Sequence, residues 1–295
     1  MIGVDFGGTG IKAGIVEEGR VMRSLETPTP KGASADEVLD AIARLVFELD
    51  PKPRSVGVAI PGEVDPAGRC WGLANVPGFK GVALGKGLSE RLGCPVAVEN
   101  DATTAALGEF LYGHGSRYPS FLMITLGTGV GGGLVIGGQL YPGGNGFAGE
   151  IGHINIDPSD SAPACGCGKT GCLETYSGTA ALFRMYQEFG GGEVSEIKHI
   201  ADRAHAGEKA AIQTFEKMGD ALGRGLADIQ NVLDLNALVF TGGISKSFDL
   251  IEPSLRAALR RHAFAAPPAE VPLVVSELGA SAGVVGAAHL TQLEI

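Results

Sequence analysis

Two segments of this chain, about 120 residues apart, repeat one pattern, and that repeat constrains the fold more than any other feature. Ile2–Asp5 is an apolar run that meets Gly7-Gly8-Thr9-Gly10, and a second apolar run, Ile11–Val16, follows. Phe121–Leu126 meets Gly127-Thr128-Gly129, and Gly133–Ile136 follows in the same way. Short apolar runs joined by glycine turns read as hairpins. A supersecondary unit that recurs at this distance predicts two lobes of related design.

Between and after the hairpins, strand patterns alternate with helical ones, which argues an α/β fold. Ser34 with Glu37 three residues later forms a capping box. Val38, Ile42, Leu45, Val46 and Leu49 then fall at helical spacing. Further strands are expected at Arg20–Glu26, Ser55–Ile60, Pro95–Glu99, Ala237–Phe240 and Leu273–Val275. Pro61-Gly62 reads as the stop of the strand before it. Helices are expected at Val82–Leu92, Ala102–Tyr112, Thr179–Phe189, Ile197–His205, Ala210–Leu233, Phe248–His262 and Ser281–Leu290.

Composition excludes several classes. The 295 residues are enough for two domains. A net charge of −10 opposes nucleic-acid binding, which requires basic surface. Tyr118–Gly149 has no charged residue, but glycines crowd its centre, so strands and turns explain it better than a spanning helix. Met1–Gly7 has no basic leader, and no signal peptide is inferred. The expected setting is cytoplasmic, without membrane or nucleic-acid partners.

Several residues are candidates for chemistry. Glycine turns free backbone N–H groups to face phosphate oxygens. In the first turn Thr9 adds a hydroxyl, Lys12 adds a positive charge, and Asp5 suits a magnesium ion held through water. The second turn matches Gly-x-Gly-x-x-Gly at Gly127–Gly132, but a strand pattern follows it, so the dinucleotide reading is rejected. Thr241-Gly242-Gly243 ends a strand and precedes a helix, where an adenine ring or a phosphate can lie against backbone. Asn100-Asp101 sits between a strand and a helix. Asp101 suits a general base for phosphoryl transfer, and it equally suits the N-cap of that helix.

His153, Cys165, Cys167 and Cys172 have the spacing and chemistry of a closed tetrahedral zinc site, structural rather than catalytic. Such a knot brings Glu150, His153 and Glu174 together, a group suited to several sugar hydroxyls, with one His153 nitrogen on the metal and the other on a ligand. Cys70 and Cys94 are read as buried or inert. His114, His199, His205, His262 and His289 are read as surface or packing residues without partners.

Together these motifs resemble the ROK family (repressor, open reading frame, kinase) of the actin–hexokinase superfamily, and most of all its glucokinase branch. The resemblance runs nearly end to end. It rests on Asp5-Phe-Gly-Gly-Thr-Gly-Ile-Lys12, Pro61-Gly-Glu-Val-Asp65, Glu99-Asn-Asp-Ala102, Leu126-Gly-Thr-Gly-Val-Gly-Gly132, Gly149-Glu-Ile-Gly-His153, Cys165-Gly-Cys-Gly-Lys-Thr-Gly-Cys-Leu-Glu174 and Thr241-Gly-Gly-Ile244. It implies a two-lobed, ribonuclease-H-like α/β fold with a cleft between the lobes. The implied lobes are 1–112 with a returning helix at 281–295, and a larger 113–280 lobe that carries the zinc loop. The implied activity is ATP-dependent phosphorylation of the 6-hydroxyl of glucose, with ATP, Mg2+ and structural Zn2+, in a homodimer. Asp101 would be the general base. Asn75, Asn100, Asp101, Glu150, His153 and Glu174 would bind the sugar. Gly8, Thr9, Lys12, Thr128, Gly129, Gly242 and Gly243 would line the nucleotide. Phe79 stands where glucokinases of this kind often have Trp. Fructose, mannose and N-acetylhexosamines are alternative acceptors, polyphosphate is an alternative donor, and a non-catalytic sugar-sensing regulator is the rival class.

Overall fold

A computed structural model describes residues 1–30, 32–65, 67–73 and 78–292. The expected sugar ligand Asn75 lies outside the described residues.

The chain opens with β1 (Ile2–Phe6), β2 (Gly10–Glu17) and β3 (Arg20–Pro28), an antiparallel meander. Helix α1 (Ala35–Leu49) starts at a complete capping box, with Glu37 N–H on Ser34 Oγ and Ser34 N–H on Glu37 Oε2 at 2.8 Å. Its apolar stripe joins a core with Val4, Phe6, Val58, Ile60 and Leu88. Then follow β4 (Val56–Ile60), β5 (Gly62–Val64), β6 (Cys70–Leu73), α2 (Leu84–Leu92), β7 (Val96–Asn100) and α3 (Asp101–Tyr112). β4 ends at Ile60, directly before Pro61-Gly62, and a separate short strand, β5, begins at Gly62 and pairs with β6. A three-residue strand has too little pattern to be read from sequence.

The second half repeats the first. Its strands are β8 (Phe121–Leu126), β9 (Val130–Ile136) and β10 (Gln139–Tyr141). They are followed by α4 (Glu174–Ser177), α5 (Thr179–Glu188), α6 (Ile197–His205), α7 (Lys209–Leu233), β11 (Ala237–Thr241), α8 (Phe248–His262), α9 (Ala266–Ala269), β12 (Leu273–Val275) and α10 (Ala282–His289). The first sheet has the order β3-β2-β1-β4-β7, and the second β10-β9-β8-β11-β12. In each, the first hairpin strand sits at the centre, a meander extends to one side, and later strands extend to the other, with β4 on β1 and β12 on β11 parallel. The duplication read from the glycine hairpins is thus a duplication of whole sheets.

Two compact units emerge: 1–123 with 133–149 and 276–295, and 124–132 with 150–275. The first therefore holds 113–123 and 133–149 in addition to the expected 1–112. Gly133 explains part of this, since a Cβ there would lie 2.4 Å from the Ala102 carbonyl of α3. Helix α10 also packs on α3 and the first sheet at a distance only glycine allows. A Cβ on Gly286 would stand 1.7 Å from Thr104 O, and one on Gly57 1.6 Å from Ala287 O. The segment that leads into α10 is held by the buried Glu109. Its carboxylate accepts from Ser276 Oγ at 2.6 Å and from the Glu277 N–H at 3.0 Å.

Candidate functional site

The first unit carries two candidate groups, at the ends of β1 and β7, with β4 between those strands in the sheet. Between β1 and β2, the Gly7 N–H donates to Gly10 O at 2.8 Å, which closes the turn and leaves Gly8 and Thr9 exposed. Thr29 braces the turn, with its hydroxyl on Gly7 O at 2.6 Å and its N–H on Thr9 O at 3.1 Å. Asp5 and Lys12 face each other across the β1–β2 ladder. Burial pushes the Asp5 carboxyl up, and the Lys12 charge opposes that.

At the end of β7 the chain turns into α3. The cap falls to Asn100, not to Asp101. Asn100 Oδ1 accepts from the Ala102 N–H at 2.8 Å and the Thr103 N–H at 3.1 Å. Asp101 is then the first helical residue, so its carboxylate is not consumed as the cap. Both residues suit a cap by type, and only the backbone path selects between them. Asn100 Nδ2 gives one N–H to Gly62 O at 3.2 Å, and the Thr104 hydroxyl lies on the Asn100 and Asp101 carbonyls. An amide nitrogen has two N–H groups, so Asn100 retains donor capacity for a ligand.

Glu99 is a residue the sequence reading passed over. Its Oε1 accepts the Asn100 N–H at 2.7 Å, yet burial still pushes its carboxyl up to about 7. A buried acid one residue from the cap has no sequence signal of its own.

The second unit carries the other turn. The Gly127 N–H donates to Gly129 O at 3.1 Å, and Thr128 is exposed. Thr179 does here what Thr29 does in the first turn: its hydroxyl and N–H both reach Gly127 O, at 2.8 and 2.9 Å. Strand β9 begins at Val130, directly after the turn, which agrees with the rejection of a dinucleotide fingerprint. The two threonine braces escaped the sequence reading because each lies on an element remote in sequence from the turn it holds. At the end of β11, Gly242 has φ +95°, and a Cβ there would stand 2.3 Å from Leu126 O. Gly243 beside it faces open space.

His153, Cys165, Cys167 and Cys172 converge, with one ligand atom of each within 4.8 Å of all the others. Cys165 Sγ lies 3.7 Å from His153 Nδ1, and Cys167 Sγ 3.7 Å from Cys172 Sγ. A tetrahedral zinc with bonds of about 2.3 Å to sulfur has S···S edges of about 3.8 Å, so the donor set fits that ion. A turn from Cys165 to Lys169 and an isolated bridge between Asn155 and Cys172 hold the loop in this shape. His153 Nε2 faces Glu150 Oε2 at 3.9 Å. Glu174 Oε2 accepts the Val130 N–H at 3.0 Å.

Some expectations fail in detail. Histidines read as partnerless have partners: His289 Nε2 meets Tyr112 OH at 2.9 Å, and His205 Nε2 meets Asp249 at 2.7 Å. Cys70 and Cys94 are buried, and burial pushes the Cys70 thiol up to about 11. No described helix is long and apolar enough to cross a membrane.

Duplicated sheets with paired glycine turns, and a carboxylate at a strand-to-helix junction, define an α/β protein of the actin/hexokinase fold. The chain belongs to the ROK family, whose sequence profile matches residues 1–294. It is 35% identical to a glucokinase of Streptomyces coelicolor, over 99% of this chain and 97% of that one. It is 34% identical to an N-acetyl-D-glucosamine kinase of Pasteurella multocida, over 98% of each. Among solved structures, a ROK family glucokinase from Streptomyces griseus in complex with glucose and AMPPNP superposes with a TM-score of 0.84, at 35% identity and 98% coverage of both chains.

Proposed function

We propose that this chain is a sugar kinase that transfers the γ-phosphoryl group of ATP to the 6-hydroxyl of glucose. The observation that carries the reading is the junction of β7 and α3. There Asn100 takes over the cap and leaves Asp101 as a carboxylate on a fixed backbone. That suits a base which receives one proton from one hydroxyl. The likeness to glucokinases supports the acceptor.

MgATP supplies the transferred group and a counter-charge for the spreading phosphoryl oxygens. The chain's own part is to hold, orient and deprotonate. Gly8, Thr9, Lys12, Thr128 and Gly129 receive the phosphates, and Gly242 and Gly243 lie against adenosine. Asp5 receives magnesium through water. Asn75, Asn100, Asp101, Glu150, His153 and Glu174 bind the sugar. Asp101 accepts the 6-hydroxyl proton as the oxygen attacks phosphorus.

Zinc held by His153, Cys165, Cys167 and Cys172 fixes the knot and takes no part in the chemistry. With Nδ1 turned toward Cys165 Sγ and the metal these residues would hold, His153 Nε2 would be left to meet a ligand. The protein acts in the cytoplasm as a homodimer.

A second acceptor is favoured by a specific finding, since an N-acetyl-D-glucosamine kinase at 34% identity is as similar to the chain as glucokinases at 30% and 33% are. ADP release from MgATP over a panel of hexoses and N-acetylhexosamines separates the two. The highest kcat/KM with glucose, and a 6-phosphate product, support the first reading. A clear preference for N-acetylglucosamine replaces the acceptor and keeps the mechanism.

A further inference from the structure

Glu174 follows the last zinc ligand by two residues, and sugar binding is the role proposed for it above. Its carboxylate nevertheless spends one oxygen on the glycine turn that the same reading gives to nucleotide phosphates. Oε2 accepts the Val130 N–H at 3.0 Å. That oxygen occupies the space a side chain at Gly129 would need, because a Cβ there would stand 2.2 Å from it. The Val130 carbonyl is packed just as closely by Gly152, whose Cβ would stand 2.2 Å away. The stretch after Glu174 continues the grip. Gly178 leaves room for the Thr128 carbonyl, at 2.8 Å from where a Cβ would be, and Thr179 holds Gly127 O through both its hydroxyl and its N–H. Every residue of the turn from Gly127 to Val130 is therefore seated against the segment 152–179 that carries the four zinc ligands.

We propose that Glu174 is a positioning residue for the nucleotide: its carboxylate fixes the Gly127–Gly129 turn through the Val130 amide, and the metal knot acts on ATP by this route. Hydrogen bonds to a charged acceptor are stronger than neutral ones and hold a donor in a set direction. A turn that presents backbone N–H groups to phosphate works only while those groups stay aimed. One carboxylate that serves both substrates also links them, since a sugar hydroxyl on one oxygen leaves the other on Val130.

The inference rests on the kinase reading, and its test is made without sugar, so that the two can fail separately. The magnesium complex of a non-hydrolysable ATP analogue is titrated calorimetrically into zinc-loaded wild type, Glu174→Ala, Glu174→Asp and Glu174→Gln, each with its zinc content measured. Ala removes the acceptor, and Asp withdraws it by one methylene. Gln keeps a neutral oxygen at the same reach. The expected result is a Kd raised about tenfold in Ala and Asp, and within about threefold of wild type in Gln, at equal zinc content. If the Ala variant fails to fold or loses zinc, the Asp variant carries the comparison. Nucleotide affinity unchanged in Asp, or lost as fully in Gln as in Asp, overturns the proposal and confines Glu174 to the sugar.

Discussion

Glu99→Gln should make the protein more stable at alkaline pH and leave it nearly unchanged in acid. Glu99 sits at the end of β7 opposite Ala59 of β4, and burial raises its carboxyl from 4.5 to about 7 against a single backbone hydrogen bond. A native value above the unfolded one means that folding favours the protonated acid. That stability is complete below about pH 4.5, declines as the pH rises, and is gone above about 7. A rise from 4.5 to about 7 corresponds to about 3 kcal/mol at roughly 1.4 kcal/mol per pH unit. The partial exposure of the side chain reduces this to about 2 kcal/mol. Gln keeps the oxygen that receives the Asn100 N–H and cannot ionise. Thermal unfolding at pH 5 and pH 8 reads the effect. The variant should melt close to wild type at pH 5 and several degrees higher at pH 8, at about 2–4 °C per kcal/mol. An equal offset at both pH values, or a less stable variant at pH 8, would refute the claim that burial controls this carboxyl.

Two further outcomes follow from close approach and from the metal. Gly286→Ala places a methyl 1.7 Å from a backbone carbonyl of α3, so α10 must move, and a loss of about 3 kcal/mol is expected in denaturant melts. Gly144→Ala, which meets no atom within 4 Å, should melt like wild type. Elemental analysis should find about one zinc per chain, and Cys172→Ser or a strong chelator should lower the melting temperature and open residues 153–172 to protease. Zinc-free protein that is equally stable and equally resistant would count against a structural metal.

How much of this was legible in the sequence depended on the range of the interaction. The capping box at Ser34 and Glu37 is local, and so were α1 and its stripe. The glycine hairpins also announced themselves, and with them the duplicated sheets. The zinc set was readable because its four side chains carry their own chemistry and sit within twenty positions of one another. Long-range partners were not readable. Thr29 and Thr179 brace their turns across gaps of 22 and 52 residues, and no residue type forecasts that. Glu174 reads as a sugar carboxylate by its neighbours, whereas its bond to Val130 spans 44 residues. The sequence leaves Asp101 open as base or cap, and the cap falls to Asn100, because the two residues have nearly equal capping preference and the backbone path chooses.

The central claim is that Asp101 takes a proton from a hexose hydroxyl during transfer from ATP. It is tested most directly by steady-state ADP release for wild type and Asp101→Asn with MgATP and glucose, both proteins loaded with zinc. A positioned base is worth about 10²–10⁴-fold, so kcat in the variant should fall by at least about 10²-fold while glucose affinity changes little. Turnover at the wild-type rate in the Asn variant would contradict the account.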